Sequence, residues 1–126
     1  MKLKNILITV NNMEQSIAFY HDLFGLEVIL RRDGNVILTE GLVLQDTAVW
    51  KDYLQTEVIP NSNACELYFE ETDIESFKRK LEAYREPVQY AGKQTAYGGE
   101  RNVLRFYDPN GHMIEVGTPI LRNGTG

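Results

Sequence analysis

The order of predicted strands and helices repeats once along this chain, and that repeat limits the fold more than any other feature. Apolar and polar side chains alternate over residues 3–10, which is typical of a half-buried strand. A helix is predicted next, because Asn12 and Gln15 resemble a capping box and Gly25 supplies a stop. Strands are then predicted at residues 27–32, 36–39 and 42–46. The first half therefore reads β-α-β-β-β.

The second half repeats this order after a connector at residues 46–63 that has no clear periodicity. A strand is predicted at 64–71, and Thr72 with Glu75 resembles a second capping box before a helix that ends ahead of Pro87. Three more strands are predicted, at residues 88–94, 102–107 and 112–117. We therefore expect one α+β domain at residues 1–119, with module one at 3–47, a connector at 48–63, module two at 64–118, and a disordered tail at 120–126.

Charge and composition exclude several classes of partner. The chain has 126 residues, a net charge of −5 and a pI near 5.0, without the concentrated basic surface that a phosphate backbone requires. Its first apolar run stops at Asn11 and is too short for a secretion signal or a membrane span. We expect a cytoplasmic protein that binds neither nucleic acid nor membrane. The single cysteine, Cys65, is expected to be buried.

The two halves are put in register by the first apolar residue of each predicted helix, Met13 and Ile74. This register pairs Asn5 of the first strand with Glu66 at the start of module two. Strand alternation gives both residues the polar face of their strands, and Tyr68 shares that face with Glu66. Both matched positions therefore point away from the apolar layer.

The last strand of each half is put in register by its turn glycine, Gly41 or Gly111, which pairs Gln45 with Glu115. Alternation directs the Glu115 carboxylate away from the core as well. Two carboxylates that face one concave space, Glu66 and Glu115, repel each other and raise one pKa unless a positive group lies between them. That group is a metal ion, a cationic ligand or an arginine of the protein.

Three stretches of sequence carry a family resemblance. ITVNNMEQSIAFYHDLFGLEV resembles the opening strand and helix of the vicinal oxygen chelate superfamily, which includes glyoxalases, bleomycin resistance proteins and extradiol dioxygenases. CELYFEETDIESFKRKLE is similar to the start of its second module, and DPNGHMIEV to its final hairpin. The resemblance spans residues 3–118. It implies two βαβββ modules that form a curved mixed sheet around a ligand cup, and a homodimer.

The resemblance also implies four positions for a metal ion, one on the first and one on the last strand of each module. The matching residues here are Asn5, Gln45, Glu66 and Glu115. Histidine, the usual ligand at two of these positions, is absent from all four, and the oxygen donors that remain suit hard ions best. The cofactor expected under this interpretation is one divalent cation, Mg, Mn, Ni or Zn. His21 and His112 are not expected to be ligands.

Three functions remain open at the level of sequence. The first is binding of a small organic molecule in the cup, in detoxification or resistance, with a degenerate metal site. The second is a divalent-metal-dependent lyase or isomerase of the lactoylglutathione-lyase (glyoxalase) type, in which Glu66 or Glu115 is the catalytic base. The third is a non-catalytic regulatory module with a filled cup. Metal binding separates the first two.

Five residues are candidates for contact with an organic ligand. Tyr68 shares the face of Glu66, and Trp50 lies in a connector segment, residues 47–56, predicted to be irregular and able to close as a lid. Arg105 alternates with Phe106 and is expected to point into the cup and pair with Glu115. The full candidate set is Tyr68, Trp50, Arg105, Tyr97 and Thr9.

Overall fold

The predicted β-α-β-β-β order of the first half is present in a computed structural model, which describes residues 1–60, 64–92, 94 and 103–119. Residues 1–62 and 109–111 form one compact unit, and residues 63–108 and 112–126 form another. The first unit contains a four-stranded sheet in the order β1-β4-β3-β2, in which β1 runs parallel to β4. Its elements are β1 (Ile6–Val10), α1 (Met13–Phe24), β2 (Val28–Arg32), β3 (Asn35–Leu38) and β4 (Leu42–Asp46).

The ends of α1 are those that the sequence predicts. Asn12 precedes the helix in an extended conformation, and its side chain accepts a hydrogen bond from the backbone N–H of Gln15 at 3.1 Å. Gly25 follows the helix with φ of 70°, and its N–H donates to the carbonyl of His21 at 2.9 Å. A left-handed residue at this position favours glycine, so the predicted stop is confirmed.

The segment after β4 corrects one prediction. Residues 47–56 were expected to be irregular, but α2 (Thr47–Leu54) is a helix of 8 residues. The side chain of Asp46 accepts a hydrogen bond from the N–H of Val49 at 3.1 Å and so caps the helix. A helix of two turns is too short to show a repeated apolar stripe. Because Asp46 also ends a strand, the sequence did not mark it as the start of a helix.

The second unit contains a three-stranded sheet in the order β5-β7-β6, in which β5 and β7 run parallel. Its helix is capped by Asp73, which accepts from the N–H of Ser76 at 3.0 Å, and not by Thr72 as predicted. Asn12 and Asp73 thus each directly precede the first helical residue of their module. The elements are β5 (Glu66–Glu70), α3 (Ile74–Glu82), β6 (Val103–Tyr107) and β7 (Met113–Gly117).

The strand predicted at residues 88–94 is reduced to an isolated bridge between Tyr90 and Phe106 in the described part of that segment. Beyond the bridge, the N–H of Ala91 donates to the carbonyl of Arg105 at 2.9 Å and the N–H of Val103 donates to the carbonyl of Gln94 at 3.4 Å, and the side chain of Gln94 adds to these backbone contacts. The Gln94 amide accepts from the N–H of Arg105 at 2.7 Å and donates to its carbonyl at 3.1 Å. Gly92, with φ of 56°, turns the chain between these two contacts and ends the extended conformation.

Each unit buries its own apolar layer. In the first unit the buried side chains include Val10, Phe19, Tyr20, Leu23, Val36, Leu38 and Leu44. In the second they include Phe77, Leu81, Phe106, Ile114 and Val116, and the rings of Phe77 and Phe106 lie 6.3 Å apart. The predicted burial of Cys65 is wrong, because β5 begins one residue later and leaves that thiol exposed. Across the described residues, no helix is long and apolar enough to cross a bilayer.

Candidate ligand-binding site

The register of the second sheet brings the predicted polar residues of that unit onto one face. Glu115 of β7 lies directly opposite Tyr68 of β5 on one side and Arg105 of β6 on the other. These residues form a row, one from each strand, and alternation puts Glu66 on the same face two residues before Tyr68. Leu67, Phe106 and Ile114 alternate with them and belong to the opposite face.

Arg105 and Glu115 form the expected ion pair. The Nε of Arg105 donates to Oε1 of Glu115 at 2.7 Å, and the two side chains are 24% and 14% exposed. A charged hydrogen bond of this length, largely shielded from water, is stronger than a surface ion pair. The alternation of residues along β6 therefore predicted the orientation of Arg105 correctly.

Glu66 is an exposed carboxylate near this pair. Partial burial raises the pKa of Glu66 above its ordinary value of 4.5, the charge of Glu115 raises it further, and the charge of Arg105 lowers it. The direction agrees with the expectation for two carboxylates on one face. Arg105 offsets their repulsion in part.

The remaining polar groups of this face add negative charge. Glu70 follows Tyr68 on the same side of β5, and the Tyr68 hydroxyl lies 3.4 Å from Oε2 of Glu70. Tyr68 is 39% exposed, so part of the residue contacts solvent. Three carboxylates and one guanidinium thus share a face of the sheet with an accessible tyrosine.

The Gln94 side chain holds the backbone of Arg105, and no sequence pattern selected this residue. Its amide holds both backbone groups of Arg105, which fixes the strand position from which the guanidinium reaches Glu115. The same amide donates to the carbonyl of Ala91 at 3.1 Å. Only the fold brings residue 94 beside β6, so no local pattern could have identified it.

The candidate residues of the first unit have internal partners. Oε1 of Gln45, a residue only 4% exposed, accepts from Nδ2 of Asn35 at 2.7 Å. Nδ2 of Asn5 donates to the carbonyl of Gly41 at 3.3 Å, and Thr9 lies opposite Gln45 on the neighbouring strand. Strand alternation gives Asn5, Thr9 and Gln45 one common face of the first sheet.

The two sequence registers do not agree with each other. Tyr68, two residues after Glu66, lies opposite Glu115, whereas Leu7, two residues after Asn5, lies opposite Val43. If Asn5 matches Glu66, the counterpart of Glu115 is therefore Val43 and not Gln45. The turns that precede β4 and β7 are not equivalent, so matching their glycines misaligned the final strands.

Residues 3–121 match the sequence model of the glyoxalase-like domain. The chain belongs to this family. The match covers nearly the whole sequence, and it confirms both the resemblance to the vicinal oxygen chelate superfamily and the α+β fold class.

Solved structures resemble this glyoxalase-like protein in fold. A protein of unknown function from Agrobacterium tumefaciens is 26% identical with a TM-score of 0.74, and 95% of each chain is covered. A fosfomycin resistance protein from Listeria monocytogenes is 18% identical with a TM-score of 0.69, over 95% of this chain and 92% of that one. A glyoxalase/bleomycin resistance protein/dioxygenase from Nocardioides is 14% identical with a TM-score of 0.68, over 100% and 89%.

The donor atoms that the structure describes in this glyoxalase-like protein do not fit a resident metal ion. Oε1 of Gln45 is bonded to Asn35, and Oε1 of Glu115 is bonded to Arg105. His21 is an exposed residue of α1 whose ring nitrogens lie 3.1 Å from Asp22 and 3.4 Å from Glu27. Within the described ranges, no three His, Cys, Asp or Glu side chains form a group that could hold an ion.

Two further aromatic residues, Trp50 and Tyr97, were selected from the sequence. Trp50 lies half-buried on α2, where Tyr53 and Leu54 are 76% and 47% exposed. The proposed role of this segment as a lid stays a prediction. Tyr97 falls outside the residues that the structure describes.

Proposed function

We propose that this glyoxalase-like protein binds a small organic molecule that carries a positive charge, in detoxification or resistance. The observation that carries the proposal is the exposed residue Tyr68 on one face with the carboxylates of Glu66, Glu70 and Glu115, where Arg105 is the one cation among the described residues of β5, β6 and β7 that shares the face. A cation gains from opposite charges and from the face of an aromatic ring at the same time. The polar face of the second sheet therefore favours an organic cation over an anion.

Four of these five residues have distinct roles in this proposal. Glu66 has no ion pair with another described residue and supplies the counter-charge of the ligand. Tyr68 supplies the aromatic surface, and Arg105 holds Glu115 in position as a hydrogen-bond acceptor. Because the guanidinium already satisfies one oxygen of Glu115, Glu66 is the main determinant of charge selectivity.

The names of two structural relatives support a role in detoxification or resistance. One is a fosfomycin resistance protein and the other a glyoxalase/bleomycin resistance protein/dioxygenase. We propose that the present protein acts on a toxic small molecule by sequestering it, in the cytoplasm and as a homodimer. Light scattering of the purified protein tests the dimer.

Ligand binding is tested by calorimetry with a panel of quaternary ammonium compounds and planar cationic dyes, each beside a neutral analogue of the same shape. We expect binding of cations and loss of about tenfold or more in affinity for Glu66→Gln, consistent with the loss of a partly desolvated ion pair. The matched control is Glu75→Gln, which removes an exposed carboxylate from α3 of the same unit. Equal affinities for cations and neutral analogues, or an unchanged affinity in Glu66→Gln, would contradict the proposal.

A metal-dependent lyase or isomerase of the glyoxalase type is the second candidate. It is favoured by the family match and by a relative, a mutant of the Listeria protein (17% identical, TM-score 0.67), that was solved with Mn(II) and a dihydroxypropylphosphonic acid. Here, coordination of an ion through Oε1 of Glu115 requires the Arg105 guanidinium to leave that oxygen. Stoichiometric binding of Mg, Mn, Ni or Zn by the purified protein would favour this candidate over simple sequestration.

A further inference from the structure

We propose that Arg105 is a built-in replacement for the metal ion, so that the charge of Glu115 is balanced by the protein itself. The inference concerns the same face as the proposed function but does not depend on which organic ligand binds there. It rests on the geometry of the Arg105–Glu115 pair and on the bonds that hold that pair in place.

The pair is part of the sheet and not a chance surface contact. Arg105 and Glu115 are directly opposite each other on antiparallel strands β6 and β7, the position at which opposite charges stabilise a sheet. Their 2.7 Å hydrogen bond is between side chains that are mostly buried. The guanidinium therefore lies where an ion bound to Oε1 of Glu115 would have to lie.

A second interaction keeps Arg105 in this position. The Gln94 amide bonds both to the N–H and to the carbonyl of Arg105, at 2.7 Å and 3.1 Å, and also to the carbonyl of Ala91. Displacing the guanidinium by rotation of the side chain alone leaves its backbone fixed and its charge close to the face. A divalent cation would then meet like charge at short range, which disfavours binding.

The first unit supports the same conclusion independently. The amide oxygen of Gln45, the atom that a hard ion would bind, already accepts the 2.7 Å hydrogen bond from Asn35. Gln45 is buried, so releasing this oxygen leaves the Asn35 amide without that acceptor. Gln45 and Glu115, two of the four residues selected from the sequence as metal ligands, thus already have partners within the protein. The strand register, with Asn5 matched to Glu66, also puts Val43, which has no side-chain ligand atom, at the position that corresponds to Glu115.

The test is calorimetric titration of chelator-treated protein with Mn2+, for the natural protein, Arg105→Gln and Arg31→Gln. Arg31 pairs with Glu14 on an exposed surface of the first unit, so its substitution removes the same charge elsewhere. We expect weak, non-stoichiometric binding by the natural protein and by Arg31→Gln. Arg105→Gln is expected to bind Mn2+ at least about tenfold more tightly, and Glu115→Gln added to it is expected to abolish the gain.

Two results would overturn the inference. One is stoichiometric Mn2+ binding by the natural protein that Glu115→Gln removes, and the other is a folded Arg105→Gln protein that binds Mn2+ no better than the natural one. If Arg105→Gln does not fold, Gln94→Ala loosens Arg105 without removing its charge and is expected to bind Mn2+ more tightly than the natural protein. If no organic cation binds, the proposed function is contradicted, but the expected results of these metal titrations stay the same.

Discussion

Nδ2 of Asn110 donates a hydrogen bond to the completely buried hydroxyl of Ser16 at 3.0 Å. The same side chain accepts from the backbone N–H of Asn11 at 2.8 Å, just before α1 begins. One amide thus satisfies a buried polar group of the helix and a backbone donor of the preceding loop. Because residues 109–111 belong to the first compact unit, this contact is part of that unit's stability.

Asn110→Ala is expected to lower the free energy of unfolding by about 1–3 kcal/mol, since the buried Ser16 hydroxyl loses its partner. Chemical denaturation followed by circular dichroism measures the loss. Adding Ser16→Ala to Asn110→Ala removes the orphaned hydroxyl and is expected to recover part of the stability. Additive effects of the two substitutions would show that this hydrogen bond does not couple the residues.

The carboxyl of Glu66 is expected to titrate above its ordinary pKa of 4.5 in carbon-detected NMR. Substituting Glu115→Gln removes a negative charge and should lower the pKa of Glu66, whereas Arg105→Gln removes a positive charge and should raise it. Because the folded-state pKa lies above the unfolded one, this carboxyl disfavours folding as the pH rises through that interval. Glu66→Gln should therefore be more stable than the natural protein at neutral pH, and the difference should disappear in acid. Shifts of the same sign in both charge variants would contradict this explanation.

His21 is expected to make stability depend on pH above 6.5. Its hydrogen bond with Asp22, followed by the charge of Glu27, raises the pKa of His21 above the ordinary value of 6.5. A raised pKa means that the folded state prefers the protonated ring, so the stabilisation is complete below 6.5 and is lost as the pH rises through the folded-state value. Thermal unfolding measured across this range should show the loss. His21→Gln should remove this part of the pH dependence, and a profile that it leaves unchanged would rule out the assignment.

Gly41 and Gly25 provide a matched pair of glycine substitutions. Both have positive φ, 81° and 70°, so alanine at either position is expected to cost about 1–2 kcal/mol of backbone strain. At residue 41 a Cβ would also lie 2.8 Å from the carbonyl oxygen of Lys4, whereas at residue 25 it would meet no described atom within 4 Å. Gly41→Ala should therefore destabilise the protein clearly more than Gly25→Ala in the same denaturation experiment. Equal losses in the free energy of unfolding would mean that the backbone near Lys4 moves to accommodate the Cβ without further destabilisation.

Local chemistry determined which parts of the fold were predictable. The caps of α1 depend on residues a few positions apart, so Asn12 and Gly25 could be identified from the sequence. Alternation along β6 and β7 likewise predicted that Arg105 and Glu115 share a face. The capping role of Asp46 was missed because one residue ends a strand and caps a helix at the same time.

The contacts that escaped prediction join residues far apart in the chain. Gln94 bonds to Arg105, and Asn110 bonds to Ser16, through pairs that no spacing rule relates. The strand predicted at residues 88–94 is reduced to a bridge at Tyr90, although backbone hydrogen bonds of Gln89, Ala91 and Gln94 still join the segment to β6. Tertiary position, and not propensity, decides such cases.

The row formed by Tyr68, Glu115 and Arg105 takes one residue from each strand, and the alternating residues on the reverse face build the apolar layer. Substitutions in the row therefore alter the polar face without removing any group from that layer. In such a sheet, the polar face and the apolar core are encoded by interleaved positions and can change separately during evolution. The chemistry of this face can change through single codon changes while the apolar layer behind it stays the same.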